Sequence, residues 1–459
     1  MTIDQLGIAS WQGMIRFYEA GVRRRPAFRY WQALEASQWS TPSELGALQF
    51  ERLRRLLLHA QATSPWYRDT WRAGGLDVQA LHTTSDFQRW PIIDREAVRS
   101  HRLAMRCPTA GSRLIHKATG GSSGVPLQFD LDRDSNDRRM GAWHRGYAWG
   151  GAEPGTRQWY LWGVAAASTA SWRKRKARWY DALYRRTTAS CFELGTATVD
   201  RFLASLVRTR PHAIVAYTNA IYEFARMLEA RGLVPPSPRS IMVGAERLHD
   251  YQRQTIERVF RAPVFETYGS REFMLIGAEC DRHAGLHLTH ENLLVELVDD
   301  EGLPVQPGTE GNVVITDLTN FGMPFIRYAN GDRAIAAQST CSCGRGLPLL
   351  QKVTGRRLDV LTTPDGRSLP GEFFPHILKD LPAIDRYQVV QERPDTIVIR
   401  IVAPSWTPTD EAWLRREVTA VAGTTIHLDV EQVSHIPLTA AGKLQVVVNR
   451  LASSDRERA

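Results

Sequence analysis

The sequence is poor in the features that usually place a chain quickly. No apolar run reaches the ~18 residues that a membrane-spanning helix needs. The first residues, Met1-Thr2-Ile3-Asp4, lack the basic start and apolar stretch of a secretory signal. A soluble, cytoplasmic protein without a transmembrane segment is therefore expected. Only 5 cysteines occur in 459 residues, too few for a disulfide framework in a chain of this size. There is no internal repeat. There is also no Walker A motif, because the one glycine-rich run is not followed by Lys-Ser/Thr. The formal charge of +9 suits nucleic acid, an acidic membrane or a polyanionic small molecule, and charge alone does not choose among them. With 43% hydrophobic and 23% charged residues, the balance is globular and ample for more than one core.

That glycine-rich run organises the rest: Ala118-Thr119-Gly120-Gly121-Ser122-Ser123-Gly124-Val125-Pro126. It holds three glycines, three hydroxyls and no charge. Glycine lets backbone N–H groups converge, and such nests, helped by hydroxyl donors, suit a polyphosphate. Taken by itself the run equally reads as a flexible surface turn.

Before it, residues 1–110 read as mainly helical, with leucines and arginines on opposite faces of Glu51–His59. Ser64-Pro65 breaks that pattern, and Trp90–Asp94 reads as a connection into another helix. After the loop, Trp159–Gly163 reads as a buried strand. Residues 172–186 are basic with interleaved aromatics. They suit a nucleic-acid face, a solvated helix face anchored by its aromatics, or a landing site for the phosphates of a nucleotide-like acceptor. The solvated face is the preferred reading, and no nucleic-acid partner is expected.

From Ala213 to Tyr268 the order is strand, helix, strand, helix, strand, which implies parallel strands with crossover helices. Ligands gather beyond the carboxyl ends of such strands. Those ends carry Gly244-Ala245-Glu246 and Tyr268-Gly269-Ser270-Arg271-Glu272. Past Asn292 come short β runs, and a compact α+β piece begins near Asp359. The expected fold class is α/β: a helical part over 1–110, a core over 111–358 with mostly parallel sheets flanked by helices plus a small β subdomain, and a small mobile α+β domain over 359–459.

These motifs resemble the adenylate-forming superfamily, in the branch holding phenylacetate–CoA ligase and the related capsule-biosynthesis proteins. The similarity runs from about Ser64 to Lys443. Thr119–Pro126 is similar to the family's phosphate loop, Tyr268–Glu272 to its aromatic-Gly-x-x-Glu motif, and Pro324–Asp332 to its Arg-Tyr-x-x-Gly-Asp motif. Gly355-Arg356 and Asp359 fall where the family has its hinge, and Leu438–Lys443 resembles its C-terminal Gly-Lys loop.

The resemblance implies attack of a carboxylate on the α-phosphate of ATP, then transfer of the acyl group to an acceptor, usually coenzyme A. It implies phosphate binding by Thr119, Gly120, Gly121, Ser122, Ser123 and Gly124, and nucleotide contacts from Gly244, Ala245, Glu246, Gly269 and Ser270. Glu272 would bind Mg²⁺, Tyr268 would pack on adenine, and Asp332 would accept from the ribose. Arg356 would reach ribose or phosphate, and Lys443 would stabilise the charge that develops in transfer. The small domain would close for adenylation and swing about Asp359 for the second step.

Trp162, Tyr217 and Tyr268 would line the acid pocket and suit an aryl acid. An amine or sugar acceptor, and a non-catalytic nucleotide-binding homologue, are the alternatives. A monomer or homodimer is expected. The sequence departs from the family at Val125, where many family loops have Lys, so one phosphate contact is either missing or supplied elsewhere, for example by Lys117 or His116.

Cys280-Asp-Arg-His283 and Cys341-Ser-Cys343 are two short chelating pairs. Brought together, they would make a closed Cys₃His structural zinc site. His287 is a competing nitrogen, and buried apolar cysteines are the alternative.

Overall fold

Thr41 sets the start of the longest helix, Pro42–Thr63. Its side chain accepts from the Glu44 amide while the Glu44 carboxylate caps Thr41 in return, and Pro42 occupies the first turn. The buried stripe of this helix includes Leu45, Leu53, Leu56 and Leu57, each worth about 2 kcal/mol of burial. Ser64 ends it and at once caps the next helix, Pro65–Ala73. Asp94 caps Arg95–Met105, as the connection at Trp90–Asp94 implies.

The computed structural model describes residues 3–107, 114–119, 127–163, 171–194, 197–354, 361–366, 368–369, 371, 373–378, 381, 383–384, 386–436 and 446–451. The chain divides into two compact units. The first comprises Met1–Lys117, Gln128–Thr156 and Phe265–Arg356, and the second Ala118–Leu127, Arg157–Val264 and Arg357–Ala459.

In the first unit the strands run in the order Leu293–Val298, Glu310–Asp317, Tyr328–Ala336, Leu349–Val353, Leu286–Leu288, Met274–Glu279 and Val264–Ser270, the last from Phe265 onward. Every neighbour in this series is antiparallel. The antiparallel part therefore starts well before Asn292: Val264–Ser270, which the sequence announces as a strand of the parallel group, pairs antiparallel with Met274–Glu279, which it does not announce. Helix Arg133–Trp149 packs on it so closely that a Cβ at Gly146 would stand 2.4 Å from the Leu275 side chain. The helix buries Asp137, Arg139, His144 and Arg145. Arg145 forks onto Glu291 at 2.6 and 2.9 Å. Burial raises the Glu291 carboxyl, but the Arg145 guanidinium and the Ser37 hydroxyl outweigh it and hold it low.

In the second unit, Gln158–Trp162 lies between Arg186–Ser190 and Ala213–Tyr217, and Ser240–Gly244 follows, all in parallel register. Crossover helices Thr218–Ala230 and Asp250–Phe260 stand where the sequence implies them. Trp159, Phe202, Phe224 and Phe260 fill the core beneath. Further along, His427–Gln432, Thr396–Val402, Arg386–Arg393 and Val447–Asn449 form a separate four-stranded sheet. Helix Pro408–Ala422 buries Leu414 and Val418.

Candidate active site

The first unit brings two sequence motifs together. In strand Val264–Ser270 the ladder shifts register between Tyr268 and Gly269. A Cβ at Gly269 would lie 2.0 Å from the Met274 carbonyl oxygen, so only glycine fits the turn. The turn presents Glu272, which is 5% exposed. Its carboxylate accepts from Arg95 Nη2 and from the Tyr328 hydroxyl, each at 3.4 Å, and its backbone carbonyl accepts from Arg139. Ser270 Oγ accepts from the Phe273 amide at 3.3 Å, which closes the turn.

The second motif lies on Tyr328–Ala336. A bulge opposite Val313, with Gly331 at φ +84°, breaks the alternation of the strand. Asn330 and Asp332 thereby come side by side. The Tyr268 hydroxyl donates to Asp332 Oδ2 at 2.8 Å, and Asn330 Nδ2 donates to the same oxygen at 2.7 Å and to the Tyr268 oxygen at 2.8 Å. Arg327, buried and at φ +49°, donates to the Gln88 and Trp90 carbonyls at 2.6 Å each and pairs with Glu296. It fastens the strand rather than facing a ligand.

Near the loop, Lys117 reaches Asn136 Oδ1 at 3.0 Å. Burial, reinforced by Arg139, Arg271 and Arg25, brings its amine down to about 8. His116 is engaged with Asp130, which also pairs with Arg102 and Arg106.

Other sequence-implied residues belong to the second unit. Thr119 clasps the base of the glycine-rich loop: its amide donates to the Leu127 carbonyl at 2.9 Å, and its hydroxyl accepts from the Leu127 amide at 3.0 Å. Ala245 sits at φ +69°, which costs a Cβ-bearing residue about 1–2 kcal/mol. That bend lets Glu246 accept from the Asn219 amide at 2.8 Å at the start of helix Thr218–Ala230. Burial raises the Glu246 carboxyl despite this bond. The Trp162 and Tyr217 rings meet at 4.3 Å. Gly120, Gly121, Ser122, Ser123, Gly124, Arg356, Asp359 and Lys443 lie outside the described residues.

A second cluster in the first unit consists of Cys280, His287, Cys341 and Cys343, whose donor atoms all lie within 4.8 Å of one another. Cys280 Sγ is 3.7 Å from Cys341 Sγ, and Cys343 Sγ is 3.4 Å from His287 Nε2. A tetrahedral zinc site has S–S edges of about 3.8 Å and S–N edges of about 3.5 Å, so these residues fit the ion. Burial pushes the Cys280 thiol up to about 12. Burial likewise brings His287 down to about 4, against a hydrogen bond to the Leu347 backbone. The nitrogen of this cluster is thus His287 and not His283. His283, at φ +50° in the turn, points its Nδ1 at Glu279 (3.2 Å) and its ring at Phe265 (4.6 Å). His287, on the short strand Leu286–Leu288, is aimed at the cysteines by the ladder itself.

Residues 361–450 match the sequence profile of the CapK C-terminal domain. Phenylacetate-coenzyme A ligase of Thermus thermophilus is 26% identical over 385 residues, 82% of this chain and 82% of that protein. Protein CapK of Staphylococcus aureus is 20% identical over 420 residues, 89% of this chain and 90% of that one. A crystal structure of 2-hydroxyisobutyryl-CoA ligase with 2-HIB-AMP and CoA shares the fold at a TM-score of 0.60 and 18% identity, over 91% of this chain and 93% of that one. The chain is thus similar in sequence to phenylacetate–CoA ligases and to CapK, and it shares the fold of 2-hydroxyisobutyryl-CoA ligase.

In this chain the aromatic-Gly-x-x-Glu segment and the Tyr-x-x-Gly-Asp segment meet through two shared hydrogen-bond sets. Two participants escaped the sequence reading, and a third, His287, stood there only as a competing ligand. Arg95 lies far upstream in an ordinary amphipathic helix and carries no local signal. Asn330, inside the second motif, could have been found from its Asn-Gly step. His287 could have been preferred over His283 had Leu286–Leu288 been recognised as a strand.

Proposed function

We propose that the chain activates a carboxylic acid with ATP and then passes the acyl group to an acceptor. The acid oxygen attacks the α-phosphorus, the bond to the β-phosphate bridge breaks, and pyrophosphate leaves. The acceptor then attacks the acyl carbonyl, and AMP leaves. Coenzyme A is the first choice of acceptor. An aryl or arylacetic acid is favoured, because Trp162 and Tyr217 put two rings together.

The observation that carries this reading is the meeting of Tyr268–Glu272 with Tyr328–Asp332 at one end of the antiparallel ladder. Such transfer needs positioning and charge neutralisation more than covalent help from protein. Glu272 is a buried carboxylate able to hold Mg²⁺, which neutralises phosphate charge when bound. Asp332, its orientation fixed by Tyr268 and Asn330, takes the ribose hydroxyls. Tyr268 offers its ring to adenine. Lys443 acts in adenylation alone, and Arg356 reaches ribose or phosphate. Cys280, His287, Cys341 and Cys343 hold zinc in a closed, structural site that ties the turn after Met274–Glu279 to the turn after Tyr328–Ala336.

A carboxylic-acid panel with ATP and Mg²⁺, read by pyrophosphate release and repeated with coenzyme A and with amines, tests the reading. Release stimulated by at least one aryl acid supports it, and protein indifferent to ATP across the panel overturns it. An amine or sugar acceptor is the second reading, favoured by the CapK-type match at residues 361–450. Lys443→Ala should abolish pyrophosphate release, by about a hundredfold or more, while transfer from supplied acyl-adenylate continues. Equal loss of both half-reactions contradicts the role given to Lys443.

A further inference from the structure

The basic, aromatic stretch has no part in the reaction above. It forms helix Ser171–Leu183, which leads into strand Arg186–Ser190 at the end of the parallel group. Trp172, Arg175, Lys176 and Trp179 stand at i, i+3, i+4 and i+7, so they share one face. Both tryptophans are large and open to solvent, 55% and 51% exposed. Arg175, Lys176 and Arg178 are exposed beside them.

Aromatic and cation contacts tie the far end of the segment to its neighbours. Tyr180 and Tyr184 stack at 4.6 Å, and the Arg186 guanidinium lies 4.7 Å from the Tyr184 ring and 5.3 Å from the Tyr160 ring. The only acid between residues 171 and 186, Asp181, is half-buried on the side away from Trp172. The outward face is thus cationic and aromatic, with no exposed leucine, isoleucine or phenylalanine among its described residues.

We propose that this helix docks on the anionic headgroups of a lipid surface. Charge complementarity selects the partner. Each basic residue near an anionic leaflet adds about 1 kcal/mol, or about fivefold in affinity. The two tryptophans lie about 10 Å apart along the axis and point the same way. A flat surface engages both rings at headgroup depth, as interfacial tryptophans do. With no aliphatic stripe between them, the helix rests at the interface and does not insert. A nucleic-acid reader would present such rings on an open sheet or in a groove, whereas these stand on an outward helix. The surface gives the chain a second activity, independent of adenylation: lipid-surface attachment.

Cosedimentation with phosphatidylglycerol–phosphatidylcholine vesicles and with pure phosphatidylcholine vesicles tests this. The full chain should bind the anionic vesicles, weaken steeply with salt, and ignore the neutral ones. Arg175→Glu/Lys176→Glu/Arg178→Glu should lower anionic-vesicle affinity by about a hundredfold or more with an unchanged Tm, as should be seen for exposed side chains. Trp172→Ala/Trp179→Ala should weaken it by about tenfold and leave the salt dependence in place. No binding by the unaltered chain, or equal binding by the charge-reversed variant, overturns the proposal. A preference for duplex DNA or single-stranded RNA over the vesicles, lost in the charge-reversed variant, overturns it in favour of nucleic acid.

Discussion

Two clusters in the first unit are built by the same means and end in opposite conditions. Both gather side chains from turns of one antiparallel ladder. In the Glu272–Asp332 cluster each carboxylate already has donors from its own chain: Arg95 and Tyr328 for Glu272, Tyr268 and Asn330 for Asp332. In the Cys280–His287–Cys341–Cys343 cluster four soft donors face one another within 4.8 Å. The Arg282 and Arg345 amides each donate to one sulfur, Cys280 and Cys343, at 3.5 Å, and a bound cation would supply the remaining compensation for thiolate charge. The carboxylate cluster is consequently able to stand preformed while it waits for a substrate. On the proposed reading the thiol cluster would reach its lowest free energy only when an ion joins the fold. Under that proposal one belongs to chemistry and the other to folding, and substitutions should separate them.

The largest effect is expected at the thiols. Cys341→Ser should remove stoichiometric zinc. It should also lower stability by on the order of 5 kcal/mol, about 10 °C in Tm for a unit of this size. Elemental analysis and calorimetry read both, and a strong chelator on the unaltered chain should reproduce the shift. Freshly purified protein without metal, or a Tm untouched by the substitution, would erase the contrast. Next comes Glu272→Gln. The amide keeps an oxygen for Arg95 and Tyr328 but loses the charge. Adenylation should fall by about a hundredfold while the zinc content stays the same. Loss of zinc and activity together would show that the two clusters are one structural unit.

Some of this was legible before any coordinates. The crossover strands at Ala213–Tyr217 and Ser240–Gly244 announce themselves because buried parallel strands are continuous apolar runs. The hairpin of Arg386–Arg393 and Thr396–Val402 shows through its alternation and turn. Helix Arg133–Trp149 does not, because it buries Arg139, Arg145 and Asp137. Arg145 and Asp137 are matched by Glu291 and Arg25, more than a hundred residues away in sequence. A charge satisfied by a distant partner looks, in one dimension, like a solvent-facing charge. The same holds at the site: Glu272 and Asp332 stand out through their turn residues, whereas Arg95 becomes meaningful only through the fold. His287 was passed over for His283 because Cys-x₂-His spacing is a local signal and the ladder that aims His287 is not.

The smallest of these effects is the finest probe of the carboxylate cluster. Tyr268→Phe removes one hydroxyl that both donates to Asp332 and accepts from Asn330. Asp332 keeps Asn330 at 2.7 Å, so its carboxylate is not left bare. Stability should drop by about 1 kcal/mol, the usual net worth of a hydrogen bond. The ring remains, so the proposed stacking on adenine would be preserved. What is lost is the orientation of Asp332, and that should appear as a rise of about tenfold or less in KM for ATP with kcat for adenylation nearly intact. A fall in kcat as deep as that of Glu272→Gln would mean that Tyr268 touches the reacting phosphate and not the nucleoside. In that case the division of labour between the two motifs is drawn in the wrong place.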